Sequence, residues 1–126
     1  MKKFIAIVLS LVLVLGLAAC GSSGSGSTST TAGTEPAKVQ IGILQFAPHA
    51  SLDNCYNGIM AALADRGYTE DTAVIEFING QGESETNALA AQSFVNKGYD
   101  IIIAIATPAV MPAYAAAKEA GIPVIF

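Results

Sequence analysis

A hydrophobic run from Ile101 to Ile105 halts at Ala106-Thr107-Pro108-Ala109, and this junction restricts the possible folds more than any other stretch of the chain. Four of the five apolar residues are isoleucine. Their stiff, β-branched side chains suit a pleated surface, and a run without polar interruption leaves no solvated face. The run therefore predicts a parallel strand buried on both sides. Thr107 stands where a helix takes its N-cap, with Pro108 at the first helical position, where a missing N–H removes nothing. A strand that feeds an open helix start can hold a small anion, because unpaired N–H groups and the positive end of the helix dipole face the crevice above the sheet. On these residues alone Thr107 is either a plain cap or a donor to a ligand.

The rest of the chain repeats this alternation. Val39, Ile41, Ile43 and Leu44 predict a strand over about 38–44, followed by a loop at Gln45-Phe46-Ala47-Pro48-His49. Ser51 is the expected N-cap of a helix with Leu52, Tyr56, Ile59, Met60 and Leu63 on its apolar stripe, closed by Gly67. Val74 to Ile78 predict a second strand, placed near a sheet edge because Glu76 interrupts it. A helix over 83–97 follows, with Leu89, Phe94 and Val95 buried and Gly98 as its stop. After the Ile101 strand comes a helix with Val110, Tyr114 and Ala117 on one face, then Gly121 and a fourth apolar strand over 122–126. The order β-α-β-α-β-α-β with short connections predicts a doubly wound parallel α/β sheet with right-handed crossovers. A chain that stops inside an apolar strand is expected to be part of a larger protein, with the sheet edge bare.

The first third has another character. Lys2, Lys3 and an apolar run from Phe4 to Leu15 form an export signal over residues 1–19, too short for a permanent membrane span. Leu17-Ala18-Ala19-Cys20 resembles the lipobox of bacterial lipoproteins, in which the cysteine is lipidated, here with palmitate-type acyl chains, and becomes the new N-terminus. Residues 20–37, nearly all Gly, Ser and Thr, read as a flexible tether, and residues 38–126 as the globular part. After cleavage four basic residues remain against ten acidic ones, a net charge of −6. The basic residues are scattered, so nucleic acid is excluded as a partner. With Cys20 acylated, Cys55 has no disulfide partner and reads as a small buried hydrophobe.

Catalytic chemistry is not evident. Gly80 and Gly82 are followed by Glu83-Ser84-Glu85, which would repel a pyrophosphate, and there is no Gly-Lys-Ser/Thr or Gly-x-Ser-x-Gly pattern. A single histidine rules out a histidine metal cluster, and His49 with Asp53, four apart, lack a nucleophile. No enzyme, metal or cofactor is expected. What remains is a polar and aromatic set at strand ends: Gln45, Phe46 and His49 after the first strand, Asn79 and Gln81 after the second, Thr107 after the third. Three convergent loops with few charges predict a site that binds without reacting. The alternative for each is local: Phe46 a loop anchor, His49 a solvated side chain, Asn79 and Gln81 turn residues bonding their own backbone.

Ile41-Gly42-Ile43, the Phe46-x-x-His49 loop with Leu52-Asp53, Gly58 to Gly67-Tyr68, Asn79-Gly80-Gln81-Gly82 and Ala104-Ile105-Ala106-Thr107-Pro108-Ala109 carry a family resemblance. Val39 to Phe126 resembles the substrate-binding lipoproteins of ABC transporters with the type I periplasmic-binding fold, in the group linked to uptake of tryptophan and tyrosine. The resemblance implies a ligand gripped between two lobes, with this chain supplying part of the first and the second lying beyond Phe126. It implies that Thr107, Pro108 and Ala109 meet the ligand's carboxylate, that Phe46 and His49 border its side chain, and that Asn79 and Gln81 lie at the pocket edge. Asp53 is implied as partner of the ligand's ammonium group, or else it only stabilises its helix N-terminus. The implied protein is a monomer, held by its lipid on the extracytoplasmic face of the cell membrane of a Gram-positive bacterium. Its partner would be an ABC permease or, alternatively, a receptor to which it presents its ligand. Ligand-sensing domains of transcription regulators share the fold but do not fit an exported, acidic chain.

Overall fold

The structure, a computed structural model, describes residues 37–126; the export signal, Cys20 and nearly all of the tether lie outside the described residues. Seven elements follow in the order β1 (Val39–Gln45), α1 (Ala50–Asp65), β2 (Ala73–Asn79), α2 (Ser84–Asn96), β3 (Ile101–Ile105), α3 (Thr107–Ala117) and β4 (Val124–Ile125). The four strands form one parallel sheet in the order β2-β1-β3-β4, so β2 is at an edge, as its glutamate predicted.

Side chains alternate across β1 and β3, and each face of the sheet buries its own helices. Ile41, Ile43, Ile101, Ile103 and Ile105 pack with Leu52, Tyr56, Ile59, Met60 and Leu63 of α1. Leu44, Ile102 and Ala104 pack on the opposite face with Ala90, Ala91 and Phe94 of α2 and Ala109, Ala113 and Ala117 of α3. Helices on both faces make the fold doubly wound. The chain leaves β1 sideways to β2 and returns across β1 to β3, which sets the topological switch point at the carboxyl ends of β1 and β3. Crevices at such points are where open α/β sheets bind ligands.

Several sequence expectations about faces change. Leu89 is 66 % exposed and Tyr114 is 61 % exposed, whereas the buried stripe of α3 is Ala109, Ala113 and Ala117. Two helices share one sheet face here, and small side chains let them approach it and each other closely. Cys55 lies on the outer side of α1 and is exposed, not buried. The N-cap of α1 is His49 rather than Ser51: extended backbone at His49 lets its Nδ1 accept from Ser51 N–H at 3.2 Å, while its carbonyl accepts from the N–H groups of Leu52 and Asp53. The fourth strand is shorter than expected, two residues instead of five.

Glycine is required at Gly42 for a packing reason. A Cβ there would lie 2.8 Å from the ring of Phe94, which is fully buried against β1. The Phe94 ring of α2 thus fills the space over β1 that a side chain at residue 42 would take.

Candidate functional site

Three loops meet at the carboxyl end of the sheet, and their backbones are stitched together. Phe46 N–H donates to the Ile105 carbonyl (3.2 Å), Gly80 N–H to the Gln45 carbonyl (2.8 Å) and Gly82 N–H to the Phe46 carbonyl (2.8 Å). The level strand ends make this possible, because Gln45 is in register with Asn79 on one side and Ile105 on the other.

A buried amide reinforces the joint. Asn87 of α2 is fully buried, and its Nδ2 donates to the Glu83 carbonyl at 2.8 Å and reaches the carbonyls of Phe46 and Gly80 at 3.4 and 3.5 Å. Gly80 lies so close that a Cβ would fall within 2.1 Å of Asn87 Nδ2. The β1–α1 and β2–α2 loops therefore meet on one side chain. Asparagine is a poor residue for a helix interior, since its amide competes for backbone groups. That mismatch was the sequence cue to Asn87, and pattern reading passed over it.

The predicted site residues divide into three groups. Phe46, half-buried, and His49, exposed, sit in the β1–α1 loop, and Asp53 is exposed in the first turn of α1. Asp53 accepts from Gln45 Nε2 at 2.7 Å. Asn79 and Gln81 sit in the β2–α2 loop, where Asn79 Oδ1 accepts from Gln81 N–H at 2.9 Å and Gln81 takes a left-handed φ of 55°. This is an Asx turn, the local role open to both residues from the sequence. Thr107 and Pro108, both exposed, open α3, and Ala109 is in the core.

Thr107 is not the cap of α3. The cap position falls on Ala106, whose φ of 80° and ψ of 143° turn the chain out of β3, and Thr107 is the first helical residue without a side-chain cap bond. The Ala106 carbonyl takes the Ala109 N–H at 2.9 Å and the Val110 N–H at 3.3 Å. With Pro108 lacking an N–H and Ala109 committed, the first turn presents Thr107, through its backbone N–H and its hydroxyl, as its donor group. The plain-cap reading of Thr107 is corrected by this geometry.

The arrangement offers hydrogen-bond donors at the start of α3 and a carboxylate at the start of α1, while Phe46, in the β1–α1 loop, packs partly against the core cluster of Leu44, α2 and α3, as a loop anchor does. No group of three or more metal-ligating side chains occurs among the described residues.

The sequence model of the family described as ABC transporter substrate binding protein matches residues 40–126. The chain belongs to that family. It is a family of solute-binding proteins, not of enzymes, as the sequence led us to expect. Among curated members the chain is similar to the tyrosine-binding protein of Clostridioides difficile (strain R20291), with 42 % identity over 86 residues, covering 68 % of this chain and 24 % of the relative. Among solved structures it is similar to an ABC domain in complex with L-Trp from Streptococcus pneumonia, at 39 % identity and a TM-score of 0.65, covering 70 % of this chain and 29 % of that one. A substrate-binding protein with adhesive properties from Clostridium difficile, in its ligand-free open form, matches at 33 % identity and a TM-score of 0.64, over 68 % of this chain and 29 % of that one. The chain thus spans about a quarter of the length of these family members. The shared geometry confirms the parallel α/β fold of a periplasmic-binding lobe.

Proposed function

We propose that this chain is part of a lipid-anchored solute-binding protein of an ABC importer, and that its ligand is an aromatic amino acid. The observation that carries the reading is the pairing of opposite functions across the switch point: Thr107 supplies donors at a helix N-terminus for a carboxylate, and Asp53, exposed at the start of α1, supplies an acceptor for an ammonium group. A helix N-terminus favours the anion through its dipole and free N–H groups. Phe46 gives the ligand's ring an aromatic border. The names of the similar proteins, one tyrosine-binding and one in complex with L-Trp, support the aromatic class.

The address belongs to the same proposal. Leu17-Ala18-Ala19-Cys20 at the end of an export signal supports lipidation at Cys20, with the Gly/Ser/Thr tether spacing the binding unit from the membrane and from its permease. Replacing Cys20 by alanine is expected to release the protein into the medium; retention in the membrane fraction would refute the anchor.

The deciding experiment is a thermal-shift panel of the twenty amino acids on the complete protein. A ligand at a thousand times its dissociation constant stabilises by about 4 kcal/mol, a readily measured shift. Tyrosine or tryptophan is expected to raise the midpoint and aspartate, lysine and glycine to leave it unchanged. No response to any amino acid would overturn the ligand class.

A further inference from the structure

Gln45 is 0 % exposed at the end of the central strand, on the sheet face that α1 covers. Its Nε2 donates to Asp53 Oδ1 at 2.7 Å and to the Ala47 carbonyl at 2.9 Å, so both amide hydrogens are committed. Its Oε1 is buried and accepts from nothing among the described residues. Buried polar atoms are ordinarily paired. Turning the amide over would not help, because Oε1 would then face a carboxylate and a carbonyl, both acceptors. The orientation that orphans the oxygen is the one that keeps the N–H on Asp53.

The chemical type of this donor matters as much as its place. An arginine or lysine there would form an ion pair with Asp53 and compete with any cation that approached it. An amide fixes the carboxylate without cancelling its charge. Asp53 accepts from Gln45 through Oδ1 and is exposed to solvent, so Oδ2 and the full negative charge are left for a partner.

We propose that Gln45 is a positioning residue for ammonium recognition: it holds Asp53 in the orientation in which the carboxylate meets the α-ammonium group of the ligand. This rests on the proposed amino-acid ligand. It makes Gln45 a determinant of specificity for amino acids over the corresponding desamino acids, although Gln45 itself touches no ligand.

The test compares each aromatic amino acid with its analogue lacking the amino group, 3-(4-hydroxyphenyl)propionate for tyrosine and 3-(indol-3-yl)propionate for tryptophan, by calorimetry on the complete protein. Gln45→Met, close in size, is expected to weaken the amino acid by about tenfold and the desamino analogue by less than about twofold, a tenfold change being the unit in which affinity is read. In an Asp53→Ala background Gln45→Met is expected to have no further effect, since residues that act through one another are non-additive. Equal weakening of both ligands, or additivity with Asp53→Ala, would assign Gln45 a purely structural role and overturn the inference. Should Gln45→Met not fold, the unmutated protein still decides: the Gln45 side-chain amide resonances shift with the amino acid and stay with the desamino analogue, and equal shifts with both overturn the inference. If the unmutated protein binds no aromatic amino acid, the proposed ligand falls and this inference with it. Normal binding with an unselective Gln45→Met overturns the inference alone.

Discussion

At the scale of single residues, the site is built from positions that break local rules. Ala106 holds a φ of 80°, a region that costs a residue with a Cβ about 1–3 kcal/mol, and it does so where β3 turns into α3. Ala106→Gly removes the clash and adds some backbone entropy to the unfolded chain, so a net stabilisation of about 1 kcal/mol is expected in a denaturation midpoint. Thr107 beside it is helical and spared from capping. Thr107→Val is therefore expected to weaken ligand binding by about 1–3 kcal/mol, through a lost charge-assisted bond, with little change in stability. Unchanged affinity in a folded variant would remove Thr107 from the site. These residues show what a sequence does and does not disclose. Thr107-Pro108 announces a helix start, and the strand before it announces a crevice. The one-residue shift of the cap onto Ala106 was not legible, because a positive φ at alanine is imposed by the tertiary path and not by its own preference. Gln45 was illegible as a buried amide, and so were the partners of Asn87, for a related reason: Asp53 and the loop carbonyls are brought close by the sheet register.

At the scale of elements, hydropathy fixed the alternation of strands and helices but misjudged which faces they bury. Every strand and helix expected from the pattern is present, with ends within about two residues of the reading except at β4, the ordinary uncertainty of helix ends. Large residues such as Leu89 and Tyr114 were expected inside, yet α2 and α3 meet the sheet through Ala90, Ala91, Ala109, Ala113 and Ala117. Period reading weighs large apolar side chains, and close helix packing selects small ones. Ala113→Leu is accordingly expected to destabilise by about 1–3 kcal/mol through overpacking, while Leu89→Ala costs far less because that side chain is largely solvated. A second link between elements is ionic. Glu76 of β2 accepts from Lys97 Nζ at 2.8 Å and from the Tyr99 hydroxyl. The Lys97 ammonium, and after it the Tyr99 hydroxyl, hold the Glu76 carboxyl below its usual range. Burial first, and then the bond to Glu76, push the Tyr99 hydroxyl up from 10.0 to about 12. Because the folded Glu76 is the stronger acid, its contribution is present above the ordinary carboxylate value and fades as pH falls through the lowered one. Tyr99 has the opposite sign: its contribution is complete below 10.0 and is lost as pH rises through about 12. A denaturation midpoint followed against pH is expected to drop over that alkaline interval, and to drop less in Tyr99→Phe, which has no proton to lose.

At the scale of the whole molecule, the described residues leave much apolar surface uncovered. Phe126 is 88 % exposed, and Met111, Tyr114 and Ile125 are exposed beside it, around β4 at the open sheet edge. On the other face α1 has no fully buried residue, and a shallow hollow lined by Val39, Ile41, Leu63, Tyr68, Ile101, Ile103, Pro123 and Ile125 lies beside it. Contiguous apolar surface of this kind, next to unpaired strand edges, drives association. Residues 38–126 expressed alone are therefore expected to oligomerise or to melt without cooperativity, and light scattering with a thermal scan reads both. A single sharp transition in a monomer would show that two covered helix layers and a four-stranded sheet suffice. The physical ground for expecting otherwise is the contrast between the two faces of β3. Ile102 and Ala104 are fully covered by α2 and α3, but Ile101 and Ile103 on the other side are only half-buried, although the sequence marks all of them as core. An isoleucine run that reads as a strand buried on both faces is, in these residues, buried on one and a half. Adding a protein surface that covers the half-buried face is expected to raise the midpoint and abolish the association together.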